Sequence, residues 1–471
     1  MASPVFSLLF IFISIFSSPS NSALLLPLSH SLSTSRFNST HHLLKSTATR
    51  SAARFRRHIS LPLSPGADYT LSLSLGSQTI SLYMDTGSDV VWLPCHPFEC
   101  ILCDGEPTTP NPTPFNLTLT SATPITCKSP ACSAAHSSLP TSDLCAIASC
   151  PLDSIEISDC KSFPCPPFYY AYGDGSLIAG LYEDTLSIHP KLKLPKFTFG
   201  CAHTALGEPT GVAGFGRGPL SLPAQLSPEI GNYFSYCLIS HSFNPARISK
   251  PSPLILGRRH EINHNTNKLK KDELIGVVDY NFTPLLDNPK HSYFYCVGLE
   301  GVSVGNKRIP APESLRRVDR RGNGGMVVDS GTTYTMLPTK FYESVVGEFG
   351  GRVGAVYRLA RAVEKRAGLS PCYYGKKGNE SFAGVPKLVL HFGGNSSVVM
   401  PRRNYFYEFF DGEARRKVGC LMMMDGGVEE GGPAGLLGNY QQQGFEVVYD
   451  LEEKRVGFAE RKCASLWDTL N

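Results

Sequence analysis

Two short runs carry the residue types of acid–base catalysis. Leu82-Tyr83-Met84-Asp85-Thr86-Gly87-Ser88 returns 244 residues later as Met326-Val327-Val328-Asp329-Ser330-Gly331-Thr332. Each is an apolar run followed by Asp, a hydroxyl residue, Gly and a second hydroxyl residue. Leu93-Pro94 and Leu337-Pro338 extend the match at equal offsets from the two aspartates. One such triplet alone is an ordinary turn. Two with matched flanks at one long separation mark a duplicated lobe, since a solenoid would repeat a short period many times.

The chemistry follows from the residue types. A buried strand delivers each carboxylate into a tight turn, where Gly87 or Gly331 permits close backbone approach. Thr86, Ser88, Ser330 and Thr332 offer hydroxyls that fix the carboxylates by hydrogen bonds. Two lobes meeting face to face would bring Asp85 and Asp329 together, and like charges at that range share one proton. One carboxylate then acts as base on a water while its neighbour holds an acid proton.

Elements to position these turns are legible on both sides. Leu71, Leu73 and Leu75 alternate as a half-buried strand, and Ile80 to Met84 leads into Asp85. Gly211 to Gly216 and Gly435 to Asn439 are apolar-glycine runs, one per half, read as backbone packed closely beside the Asp turns. Phe341, Tyr342, Val345, Val346 and Phe349 recur at helical spacing. Phe168 to Ser176 is aromatic and runs into Gly173-Asp174-Gly175, a hairpin tip that could close over a bound chain.

Composition narrows the class. The 471 residues are 42% hydrophobic and 18% charged, with 43 Gly and 36 Pro, which favours a turn-rich β protein, and the length alone suggests about two to three domains. Fifteen cysteines point to an oxidising compartment, and the odd number leaves one thiol outside intrachain pairing. The net charge of +4 is misleading, because residues 1–67 hold six Lys or Arg and no acid. The remainder carries 38 basic against 40 acidic residues, so no nucleic-acid partner is expected.

In order, residues 1–23 read as a signal peptide built on the apolar run Val5 to Phe16. Residues 24–67 read as a basic pro-segment, a partner for the chain's own acidic cleft. The body follows as a first lobe at 68–257 with a cysteine-rich insertion at 95–165. A polar linker spans 258–279 and a second lobe 280–471. No lasting membrane anchor is expected, and the route implied is secretion to the apoplast or cell wall. The vacuole is an alternative destination, as is the chloroplast, given the Ser- and Arg-rich stretch from 29 to 60. Nine cysteines crowd the insertion, which has too few apolar residues to order itself without disulfides. Cys100-x-x-Cys103 has a metal-ligand spacing but no second pair, so no metal is expected. Sequons stand at Asn38, Asn116, Asn281, Asn379 and Asn395.

With both Asp motifs, Tyr172-Gly173-Asp174-Gly175-Ser176 and the two apolar-glycine runs in order, the chain from Asp68 to Cys463 resembles the pepsin-like (family A1) aspartic proteases. The cysteine-rich insertion, Phe234-Ser235-Tyr236-Cys237 and Gly438-Asn439-Tyr440-Gln441-Gln442 look like the plant nepenthesin-like branch, which includes chloroplast nucleoid aspartyl proteases. The resemblance implies a mostly β, bilobed fold of two duplicated β-barrel-like lobes, with a cleft between them for an extended peptide. It implies a monomeric endopeptidase without cofactor or metal, with Asp85 and Asp329 as catalytic pair. Thr86 and Ser330 would cross-link the Asp loops, and Ser88 and Thr332 would bond the outer carboxylate oxygens. Tyr172 matches the flap tyrosine and Trp92 its hydrogen-bond partner. By similarity Cys237 pairs with Cys463, Cys372 with Cys420, and Cys201 with the early cluster at Cys103, leaving Cys296 unpaired. Two further readings stand beside this one: a catalytically silent inhibitor-like binder on the same fold, and a plastid protease with nucleic-acid association.

Overall fold

Period-two alternation builds the first hairpin of the body. Tyr69, Leu71, Leu73 and Leu75 face inward from the strand Tyr69–Leu75. The chain turns through Gly76 at φ +55°, which glycine adopts without strain, and returns antiparallel as Gln78–Asp85. The last four residues of that strand are all buried. The reason is the short strand Val212–Gly214, which lies parallel to it with Tyr83 opposite Val212 and Asp85 opposite Gly214. The second half repeats the device, with Met326–Val328 parallel to Gly435–Leu437. The apolar-glycine runs therefore lie beside the Asp turns. A Cβ on Gly214 would fall 2.4 Å from the carbonyl carbon of Asp89, and one on Gly438 would fall 2.5 Å from that of Tyr334.

This computed structural model describes residues 23–30, 44–45, 47–49, 51, 69–101, 103, 114–148, 163–172, 175–189, 192–207, 210–240, 250–257, 279–376, 382–428 and 431–471. The leader up to residue 22, the basic stretch 54–58, the linker 258–278, Gly173, Asn38 and Asn379 lie outside the described residues.

The two lobes share a six-stranded antiparallel platform. Its order is Asn281–Leu286, Arg455–Glu460, Phe445–Asp450, Tyr233–Cys237, Ser252–Leu256 and Leu24–His30. The lobes meet at the pairing of Tyr233–Cys237 with Phe445–Asp450. There Phe234 stacks on Tyr449 with centroids 4.5 Å apart, and one apolar core continues from Phe199 through these rings to Phe392. The helix Thr339–Gly354 buries Phe341, Val345, Phe349 and Val353, the spacing expected from its sequence. Part of the stretch read as pro-segment is built into this frame. Leu24–His30 is the platform's edge strand, and Leu44 and Ala48 pack in a core with Tyr334 and Tyr440 of the second lobe.

Six disulfides are formed among the described residues. Cys237–Cys463 and Cys372–Cys420 pair as expected, and Cys296 is a buried free thiol whose titration burial pushes up to about 12. Cys201 pairs within the early cluster as expected, but with Cys95 and not with Cys103, which pairs with Cys100. The cause is the parallel pairing of Trp92–Ile101 with Leu192–Leu206, which sets Leu93 opposite Cys201 and Pro94 opposite Ala202, with Cys95 next in line. Cys127–Cys145 and Cys132–Cys165 order the insertion. His136 lies beside the second of these, but both sulfurs are held in the disulfide and offer no thiolate to a metal. Of the sequons, Asn281 and Asn395 are exposed, whereas the Asn116 side chain caps its own turn by accepting from Thr118 N–H at 3.0 Å.

Candidate active site

Asp85 and Asp329 are fully buried at the ends of their strands, beneath the junction of the lobes. Each Oδ1 accepts the N–H of the glycine two residues on, Gly87 or Gly331, at 2.8 Å. The same glycines show how closely the loops face each other. A Cβ on Gly87 would meet Asp329 Oδ1 at 2.8 Å, and one on Gly331 would meet Asp85 Oδ1 at 2.2 Å. The inner oxygens thus converge between two glycines, and any side chain there would drive the carboxylates apart.

The hydroxyls following the two aspartates cross-link the loops with near two-fold symmetry. Thr86 N–H donates to Ser330 Oγ at 3.0 Å and Ser330 N–H to Thr86 Oγ1 at 2.9 Å. Each hydroxyl then donates across the lobes, Thr86 to the Val328 carbonyl and Ser330 to the Met84 carbonyl, both at 3.0 Å. These four bonds are buried and tie the two aspartate loops to one another. Symmetry breaks at the outer oxygens. Thr332 Oγ1 donates to Asp329 Oδ2, but the buried Ser88 hydroxyl makes no hydrogen bond to Asp85. The expected role of Ser88 is therefore not seen, and serine lacks the β-branch that restricts the χ1 of threonine.

The flap lies above. Phe168–Ala171 pairs with Ser176–His189, and Tyr172 N–H donates to Gly175 O at 2.7 Å to close the hairpin. Trp92 Nε1 donates to the Tyr172 hydroxyl, with the indole fully buried. Tyr170 packs edge-on against Tyr172 with centroids 5.1 Å apart, and its hydroxyl accepts the N–H of Asp89.

Asp89, four residues after Asp85, is not among the residues singled out from sequence. Its carboxylate lies on the bare face of Gly218, where a Cβ would come within 2.3 Å of Oδ2. It accepts backbone N–H groups from Gly218 and Leu220, while Tyr170, Tyr293 and Tyr295 sense its charge. Burial wins over the two hydrogen bonds and raises its pKa to about 7. The folded state therefore holds a proton that the unfolded chain has lost, and stability falls as pH rises from about 4 towards 7. Asp89→Asn is expected to flatten that slope, so a wild-type melting temperature no higher at pH 5 than at pH 7 would contradict the assignment.

Comparisons with known proteins agree with this arrangement. Family models described as xylanase inhibitor N-terminal and C-terminal match residues 69–258 and 294–460. A probable aspartyl protease of Arabidopsis thaliana is 57% identical over 485 aligned residues, covering 95% of this chain and 94% of its own. Nepenthesin-1 of Nepenthes gracilis is 32% identical and covers 84% of this chain and 78% of its own. Among solved structures, the protein edgp superposes with a TM-score of 0.61 at 18% identity, covering 94% of this chain and 96% of its own. Soybean basic 7S globulin follows at 0.59 and 20%, covering 94% and 99%. Fold and paired Asp loops define a bilobed, duplicated β protein of the aspartic-protease type. The chain belongs to the pepsin-like aspartic protease family, with nepenthesins among its relatives.

Proposed function

We propose that the protein is an endopeptidase that hydrolyses extended peptide segments with a water activated between Asp85 and Asp329. One carboxylate takes a proton from the water as its oxygen adds to the peptide carbonyl, while the other gives its proton to the carbonyl oxygen. Collapse of the tetrahedral species breaks the C–N bond and returns a proton to the departing nitrogen. The observation that carries this reading is the convergence of both inner carboxylate oxygens on opposing glycines, locked by Thr86 and Ser330. The reaction needs one proton held between the two carboxylates, so activity is expected to be greatest in acid. Tyr172, held by Trp92, would close over the bound chain. Peptide-pool cleavage across pH 3–8 tests the reading.

The leader and six disulfides support secretion, with glycans at exposed Asn281 or Asn395, and cleavage in the basic stretch 54–58 would release the segment before it. That segment carries an acid-sensitive contact. His30 is buried edge-on against Tyr69 with ring centroids 4.7 Å apart, and burial lowers its pKa to about 3. Its protonation is resisted in the folded state, so the docking of Leu24–His30 weakens as pH falls from 6.5 towards 3, by about 1.4 kcal/mol per unit. His30→Phe is expected to keep the segment bound in acid. If that variant and wild type release residues 24–30 at the same pH after cleavage, the contact has no such role.

A second reading is favoured by the family models, whose descriptions name xylanase inhibitors. On that reading the cleft or the insertion binds a protein without cutting it. Two aspartates in intact loops speak for the enzyme.

A further inference from the structure

The two Asp turns are held from below in different ways. In the first lobe the Asp85 carbonyl accepts the backbone N–H of Phe215 at 2.7 Å. In the second lobe the residue at the matching place, Asn439, sends its N–H instead to the Thr332 carbonyl at 2.7 Å. The Asp329 carbonyl is served by a side chain. Gln442 Nε2 donates to it at 3.1 Å and to the Leu437 carbonyl at 2.8 Å. Gln442 is buried, and its Oε1 accepts from the Tyr236 hydroxyl, which also bonds Tyr449 Oη at 2.9 Å.

We infer that Gln442, anchored by Tyr236, is a positioning residue for Asp329. This rests on the reading of Asp329 as a catalytic carboxylate. The peptide joining Asp329 to Ser330 is pinned at both ends, its carbonyl by Gln442 and its N–H by Thr86 Oγ1. Fixing that plane fixes the start of the Asp329 side chain, and a small displacement of a reacting group is costly in rate. An amide can rotate by half a turn, but the Asp329 and Leu437 carbonyls only accept, so the amino group must face them. The Tyr236 hydroxyl, which can donate as well as accept, then gives its proton to Oε1 and anchors the other end of the amide. Tyr236 stands on a first-lobe platform strand, so the first lobe holds the second lobe's aspartate both from above, through Thr86, and from below, through Gln442.

The neighbouring amide supplies the control. Gln441 donates to the Asn404 and Met422 carbonyls and accepts Thr335 N–H, so it braces the lobe without bonding Asp329 or Ser330.

The test uses the processed protein and three variants, read per folded molecule. Gln442→Met keeps the length and loses the amide; kcat is expected to fall about 10- to 100-fold with KM within about twofold. Gln442→Glu can donate and accept only while protonated. It should retain activity in acid and lose it at a lower pH than wild type, a signature that mere packing does not produce. Gln441→Met is expected to lower the melting temperature with kcat unchanged. Hydrogen exchange at the Ser330 amide, which needs no turnover, should quicken in Gln442→Met and not in Gln441→Met. The inference is overturned if Gln442→Met keeps wild-type kcat and Ser330 protection, or if Gln441→Met reproduces both losses. A folded wild type without activity would sink the protease reading instead, and the exchange data would still decide whether Gln442 holds the turn.

Discussion

Asp85→Asn and Asp329→Asn are each expected to lower peptide cleavage by about 10⁴-fold or more, with the fold intact. Asn matches Asp in shape, and its amide oxygen can keep the bond from Gly87 or Gly331 N–H that now ends on Oδ1. What it cannot do is exchange a proton with water. On the proposed mechanism the two carboxylates act as one unit, so the double variant should be no worse than either single one. Melting temperatures within a few degrees of wild type would show that chemistry and not folding was lost. A single variant with a tenth of wild-type activity would contradict the shared role of the pair.

The second large effect concerns stability. Cys237–Cys463 closes a span of 226 residues and fastens the C-terminal helix Cys463–Leu470 to the platform, where Ile255 and Leu466 pack beside the sulfurs. Loop-closure entropy puts its loss at about 5 kcal/mol, against about 1–2 kcal/mol for a three-residue span such as Cys100–Cys103. Replacing both cysteines of the long bridge by serine should therefore lower the melting temperature by on the order of 10 °C. The same change at Cys100 and Cys103 should cost far less. Equal losses from the two bridges would show that local packing, not chain connectivity, sets their contributions.

The site was legible in sequence because its chemistry is concentrated in a few adjacent residues and written twice. Asp85, Thr86 and Gly87 share one turn with their own supporting strand, and the second copy fixes the meaning of the first. The pairing of Trp92 with Tyr172 was reachable only through the family resemblance, since 80 residues separate them. Contacts set by long-range register were not legible. Cys95 meets Cys201 because two strands pair in parallel across 106 residues, and spacing alone gives no reason to prefer Cys95 over Cys103. Leu24–His30 looked dispensable because it precedes a basic stretch, yet its alternating Leu26, Leu28 and His30 face the core. Gln442 was hidden for another reason. It appears in sequence only within the branch motif Gly438 to Gln442, and nothing short of the fold shows that the Asp329 carbonyl is served from a side chain.

On the proposed mechanism, two buried carboxylates locked face to face make this chain an acid-acting endopeptidase. The most direct test is cleavage of a broad pool of unstructured peptides by the purified, processed protein between pH 3 and 8, with products identified by mass. Internal cuts that peak in acid, fade towards neutrality and vanish in Asp85→Asn are the expected result. A folded wild type that cuts nothing anywhere in that range would rule out the endopeptidase mechanism.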